Sequence, residues 1–255
     1  MNYGEILSET KDGVCRLTLN KPPLNIIGLR MMEEILDAVS TAGADPSVRV
    51  LLFRANGKAF SAGMDILDHT PERAPLMMDA FNRLFIAIER LDCATVAAVD
   101  GAALGGGCEL AFACDMIIAS ERAKFGQPEI KLGFFPPLAA VLLPGLTGRA
   151  GALEMILGGE PFTAARAAAV GMVNRVVPIE GFAAEVAKFT GEIARHSGAV
   201  IRLAKKTERA ARGRPFGEAI EIARRVFLDE LIKTEDTLEG LKAYQEKRSP
   251  VWRDR

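Results

Sequence analysis

The chain has 255 residues, 49% hydrophobic and 25% charged, and its 32 basic and 33 acidic residues leave a net charge of −1. That apolar content excludes intrinsic disorder, and the length suits one large domain, or one domain with an appendage, around a sizeable core. The near-neutral balance lacks the strong basic excess that nucleic-acid binding normally needs. The longest apolar stretch, Thr95 to Ser120, is interrupted by Asp100, Glu109 and Asp115, so it does not read as a membrane span. The N-terminal MNYGEILSETKDG has no apolar signal core. Cys15, Cys93, Cys108 and Cys114 form no CxxC pair, and three of them sit in apolar stretches. They read as reduced core residues of a cytoplasmic protein.

The first strands, Ile6 to Glu9 and Val14 to Leu19, flank Asp12-Gly13, a strong hairpin signal. Pro22-Pro23 ends that unit. A helix is expected from about Leu29 to Ala42, with Met31, Ile35, Leu36 and Val39 on one face. Val48 to Phe53 reads as a buried strand, and Phe60-Ser-Ala-Gly63 as a loop. Thr70-Pro71-Glu72 has the form of a helix start, with Thr70 as the cap. The helix after it carries Met77, Phe81, Leu84, Phe85 and Ile88. Thr95 to Val99 is another buried strand, Gly105-Gly-Gly107 opens a short helix through Cys114, and Met116 to Ala119 is a strand. Strands and helices alternate up to about residue 130, which predicts an α/β core. No repeat is visible in the residues themselves. After Pro136 helices dominate, over 138–144, 149–157, 163–170, 180–195, 198–212, 215–233 and 235–247. One strand, Val173 to Val177, breaks them. Thr234 with Glu235 and Asp236 starts the last helix.

Several familiar sites are missing: GxSxG, GxxxxGK and HExxH do not occur, and GGG at 105–107 does not fit GxGxxG. With only His69 and His196, which read as surface or helix-end residues, a histidine-rich metal site is not expected. Two features carry possible chemistry. FSAGMD at 60–65 and ALGGGCE at 103–109 each place small residues directly after a buried strand. Such loops let a backbone approach a ligand and can aim two N–H donors at one oxygen. They also serve tight helix–strand packing. Glu109 and Glu129 stand among apolar neighbours, a setting that raises a carboxyl pKa toward acid–base work. The competing reading is a helix-dipole partner and a strand-end surface residue.

Taken together, FSAGMD at 60–65, ALGGGCELAFACD at 103–115, AKFGQPEIKLG at 123–133 and the tail EGLKAYQEKRSPVW at 239–252 closely resemble the crotonase (enoyl-CoA hydratase/isomerase) family, in order and in spacing. The resemblance implies a spiral of ββα repeats. It divides the chain into an α/β core at 1–195 and a helical region at 196–255 that serves trimerisation and covers the acyl-CoA site. It implies homotrimers or homohexamers, acyl-CoA thioester substrates, and no metal or other cofactor, coenzyme A being part of the substrate. By motif, the main-chain amides of Met64 and Gly106 hold the thioester oxygen, and Glu109 and Glu129 are the hydratase carboxylates. Ala62, Met64, Asp65 and Ile66 match the segment lining the coenzyme A site, and Gly105 and Gly106 the glycine turn on the substrate.

The chain also departs from the common hydratase pattern. Phe134-Phe-Pro-Pro-Leu-Ala-Ala-Val-Leu-Leu-Pro144 replaces a Gly-rich polar turn, and Asn25-Ile-Ile-Gly28 replaces an NALN-like segment. Both departures resemble the family's cyclohexa-1,5-diene-1-carbonyl-CoA hydratases. With Phe134 and Pro136, the apolar run suits a flat ring. The expected reaction is then hydration of that diene to 6-hydroxycyclohex-1-ene-1-carbonyl-CoA. A generic enoyl-CoA hydratase or isomerase is the alternative. An RNA-binding relative is the non-enzymatic one, and only the helical cluster Arg202, Lys205, Lys206, Arg209, Arg212 and Arg214 speaks for it; such a cluster is more often a solvated face or a neighbour of coenzyme A phosphates. No membrane partner is expected.

Overall fold

A computed structural model describes residues 3–255. Asp12 and Gly13 both adopt positive φ, 53° and 77°. That is the backbone of a type I′ turn, and it joins β1 (Ile6–Lys11) to β2 (Val14–Leu19) as an antiparallel hairpin. Helix α1 (Leu29–Ala44) follows. Three units of one plan come next. The first is β3 (Val50–Ala55), β4 (Ala59–Ser61) and α2 (Ala74–Arg90). The second is β5 (Ala94–Val99), β6 (Ala102–Leu104) and α3 (Gly106–Phe112). The third is β7 (Met116–Ser120), β8 (Lys124–Gly126) and α4 (Pro137–Gly158). The chain goes on through β9 (Phe162–Thr163), α5 (Ala164–Ala169) and β10 (Arg175–Val177).

In each unit the first strand enters a six-stranded sheet of order β1-β2-β3-β5-β7-β10, and the second enters a four-stranded sheet of order β4-β6-β8-β9. From β2 onward the large sheet is parallel. Both of its faces are covered. Leu51, Phe53, Ala97, Val99, Ile117 and Ala119 turn toward α1, α2 and α3. Val50, Leu52, Val96, Ala98 and Ile118 turn toward Val186 and Phe189 of α6 (Phe182–Ala194). A strand buried on both sides reads as an unbroken apolar run, which is why VRVLLF and ATVAAV stand out in the sequence. Each Val, Leu or Phe so buried contributes about 1.5–3 kcal/mol. The fold is the α/β spiral of ββα units that the resemblance implied.

The remaining helices are α7 (Gly198–Ala211), α8 (Phe216–Asp229) and α9 (Glu235–Gln245). Thr234 caps α9 by accepting from Thr237 N–H at 3.1 Å, as expected. Buried Asp236, in the first turn of α9, accepts the Ser197 hydroxyl and the N–H groups of Arg253 and Asp254, so the C-terminal tail is pinned back on the chain.

Some expectations are corrected. Thr70 caps no helix: α2 begins at Ala74, and Thr70 instead accepts from Arg73 and Ala74 N–H in a turn after the 3₁₀ segment Ile66–His69. Phe60 and Ser61 are strand rather than loop. The strand expected from Val173 shortens to β10. The helices at 138–144 and 149–157 belong to α4, divided at Gly148, whose φ of 69° and ψ of 163° are not helical. Although α4 is long and apolar enough by composition to cross a membrane, that break leaves two straight pieces, each roughly half the ~30 Å needed.

Candidate active site

The three loops that carry the candidate residues leave the carboxyl ends of the parallel strands β4, β6 and β8. Ligands of parallel α/β sheets gather at such ends. Leaving β4, Ser61 Oγ donates to Asn25 O at 2.8 Å and accepts from Gly63 N–H at 3.1 Å. Asn25 is itself anchored by donating to Asn56 O and Ala59 O. Ile27 N–H donates to Gly63 O at 3.0 Å, and Asp65 N–H to Ile27 O at 2.9 Å. These bonds use the residues on either side of Met64, so the N–H of Met64 points to the opposite edge. Leaving β6, Gly105 turns at φ 49° and ψ −130°, and Gly106 begins α3. First-turn amides of a helix have no intrahelical partner. Neither the Met64 nor the Gly106 N–H has a hydrogen-bond partner among the described residues. The two segments touch: a Cβ on Gly106 would fall 2.5 Å from Met64 Cγ and Cε.

Glu109, in the first turn of α3, is 2% exposed. Its Oε1 accepts the N–H groups of Leu138 and Ala139, both at 2.9 Å, from the start of α4. Oε2 is left for chemistry. Burial pushes its carboxyl up to about 8, against the pull of the Ala139 N–H, and the charge of Glu129 adds to the rise. Glu129 lies in the 3₁₀ turn Pro128–Leu132 that follows β8. Desolvation raises its carboxyl as well. With its nitrogen turned toward Glu129, the buried amide of Gln127 donates to both carboxylate oxygens, at 3.1 and 3.2 Å. Glu129 Oε1 stands over Gly105, where a Cβ would meet it at 2.5 Å. Only glycine satisfies both this crowding and the positive φ. The arrangement therefore joins two partnerless amides, which suit a developing oxyanion, to two carboxyls that burial pushes upward, which suit proton transfer.

These groups line one cavity of about 530 Å³. Of the residues singled out in the sequence, Ala62, Met64, Ile66, Gly105, Gly106, Glu109, Glu129 and Phe134 line it. Asp65 and Pro136 are not among the lining residues; Asp65 accepts from Leu67 N–H to cap the 3₁₀ segment 66–69. Sequence reasoning missed Met77, Met78 and Phe81, which α2 brings to the wall, and also His69, whereas Phe135 and Pro137 belong to the apolar run 134–144 read as facing the acyl group. Helical spacing marked Met77 and Phe81 as apolar but could not separate core from pocket. His69 ends its 3₁₀ segment, as read, yet it faces the cavity.

Comparison with known proteins identifies the family. Residues 9–255 match the family model described as enoyl-CoA hydratase/isomerase. The chain is 38% identical over 262 aligned residues to a probable enoyl-CoA hydratase of Mycobacterium tuberculosis, covering 100% of both. It is 32% identical to a cyclohexa-1,5-dienecarbonyl-CoA hydratase of Thauera aromatica, covering 96% of this chain and 95% of that one. A crystal structure of an enoyl-CoA hydratase from Mycobacterium smegmatis superposes with a TM-score of 0.92 at 30% identity, over 98% of this chain and 99% of that one. The chain belongs to the enoyl-CoA hydratase/isomerase family of enzymes.

Proposed function

We propose that the protein is a hydro-lyase that adds water across the double bond of a conjugated acyl-CoA thioester. We further propose that its preferred acyl group is the ring of cyclohexa-1,5-diene-1-carbonyl-CoA, giving 6-hydroxycyclohex-1-ene-1-carbonyl-CoA. One observation carries the reading: a single apolar cavity holds one buried and one half-buried carboxyl beside two main-chain amides without partners. Water oxygen bonds to the β-carbon while Glu129, whose carboxylate receives the Gln127 amide, takes its proton. The double-bond electrons move onto the thioester oxygen. The Met64 and Gly106 amides stabilise that oxyanion, and each such donor contributes about 2.7–4 kcal/mol. Glu109 delivers its proton to carbon, at the α-position of a linear enoyl group or at the far end of the ring dienolate. Exchange with solvent returns both carboxyls to their starting states. Coenzyme A enters as part of the substrate, and no step needs a metal or a redox cofactor.

The wall formed by Met77, Met78, Phe81, Leu132, Phe134 and Phe135 supports a flat, bulky acyl group. The second reading, a generic enoyl-CoA hydratase, keeps the same carboxyls. An isomerase can manage with one, so the presence of both favours hydration. The six cations of the helical cluster are engaged within the chain: Arg202 on Pro46 O and Asp254 O, Lys205 on Asp115, Lys206 on Glu230, Arg209 on Asp92, Arg212 on Glu208 and Glu89, and Arg214 near Glu218. That counts against RNA binding. Cytoplasmic location and assembly into trimers or hexamers belong to the same proposal, and the exposed Phe216, Phe227, Leu238 and Leu241 of α8 and α9 support self-association.

A panel of cyclic and linear acyl-CoA thioesters tests the assignment. Consumption of the dienoyl thioester is expected to outrun that of crotonyl-CoA by a wide margin. The reverse preference rejects the ring and leaves hydration standing. Failure to hydrate any conjugated thioester rejects both.

A further inference from the structure

Besides the two glutamates, the cavity wall carries one polar side chain, His69. Its Nδ1 lies 3.0 Å from Asp65 O. A carbonyl oxygen only accepts, so Nδ1 holds the proton, and in the neutral ring Nε2 is a bare acceptor. Its ring meets Phe134 edge-on, with centroids 5.3 Å apart and an interplanar angle of 61°. Two contacts on different sides thus fix the ring plane. Nε2 has no hydrogen-bond partner among the described residues, and the other side chains of the cavity wall are apolar apart from Glu109 and Glu129. In an apolar wall such an acceptor is paired by solvent alone, and a donor that the ligand brings can take that place.

We infer that His69 is a specificity-determining residue whose Nε2 accepts a hydrogen bond from an alcohol on the acyl group. The inference rests on the acyl-CoA reading of the cavity, though not on whether the acyl group is cyclic or linear. The alcohol has two possible sources: the hydroxyl that hydration itself installs, or one the acyl group already carries farther from the thioester. A pocket built to pair with a hydroxyl discriminates more sharply against its deletion than an apolar pocket does against a missing methylene.

The test measures dissociation constants, by calorimetry, for hexanoyl-CoA and its 3-, 4-, 5- and 6-hydroxy derivatives. At one position the hydroxyl is expected to tighten binding about tenfold, the worth of one satisfied hydrogen bond. Gain at the 3-position identifies the installed hydroxyl; gain at the 4-, 5- or 6-position identifies a substrate-borne one. His69→Phe, which keeps a ring and removes the acceptor, is expected to erase the gain, and His69→Gln, which keeps an acceptor, to retain most of it. His69→Leu replaces His69→Phe if the latter does not fold. No gain at any position, or the same gain in His69→Phe or His69→Leu, overturns the inference. Hydration of crotonyl-CoA, followed in parallel, reports on the proposed activity. Failure to hydrate crotonyl-CoA and the dienoyl thioester alike, with the hydroxyl gain intact, rejects the hydratase reading alone.

Discussion

Glu109 and Glu129 are twenty positions apart in the chain and meet in one cavity, where burial pushes both carboxyls upward. Glu109 is the deeper, and its Oε1 is committed to two amides of α4. Glu129 is half-buried and receives the Gln127 amide. Replacing either by glutamine keeps the shape and removes the proton chemistry. Glu109→Gln and Glu129→Gln are each expected to lower kcat for hydration by about 10²–10⁴-fold. Steady-state kinetics check this, and near-full activity in either variant would remove that residue from the mechanism. The charge pattern of the sequence already hinted at both, because carboxylates among apolar residues need a reason. His69 gave no such signal: a histidine at the end of a turn looks the same whether it faces water or a cavity.

The elements that matter most for the site are the shortest. β4, β6 and β8 have three residues each, and their carboxyl ends carry Met64, Gly105 and Glu129 into reach of one another. Three residues display no alternation, so these strands were not legible in the sequence, whereas β2, β3, β5 and β7, buried on both faces, were. Helix α2 was legible as an amphipathic helix, but not as a pocket wall. The Met64 loop depends on Ser61, fully buried and bonded on both sides. Ser61→Ala leaves the Gly63 N–H unpaired and is expected to cost about 1–3 kcal/mol of stability. If the loop aims the proposed oxyanion donor, kcat falls by more than KM changes. Thermal denaturation together with kinetics checks both parts. A loss of stability with unchanged kcat would make Ser61 a purely structural residue.

At the scale of the whole molecule, Glu109 links catalysis to stability. Its folded carboxyl is pushed up to about 8 from an ordinary 4.5. Between those values the folded state keeps a proton that the unfolded chain releases. Stability therefore falls as pH rises through this window, and the penalty is complete above about 8. Glu109→Gln carries no such charge and retains an oxygen for the Leu138 and Ala139 amides. The variant is expected to be more stable than the parent at pH 8, by a gain on the order of 4 kcal/mol, and equally stable near pH 4.5. Melting temperatures across this range check the sign. A parent curve parallel to that of Glu109→Gln would contradict the raised carboxyl. Gain of stability with loss of activity is the usual mark of a group strained for function.

The sequence by itself determined the family, the α/β core followed by helices and the hairpin at Asp12-Gly13, and it singled out Met64, Gly106, Glu109 and Glu129, which line one cavity. It could do so because apolar runs, turn residues and local motifs are properties of neighbouring positions. Only the tertiary structure decided which residues converge. It set Glu129 against Gly105, put α4 amides on Glu109, turned His69 and Phe134 into one wall, and paired the basic helix face with carboxylates and main-chain oxygens from distant segments. Convergence depends on how the two sheets stack and on where their strands end. That is settled by packing between segments far apart in the chain, and no local pattern encodes it.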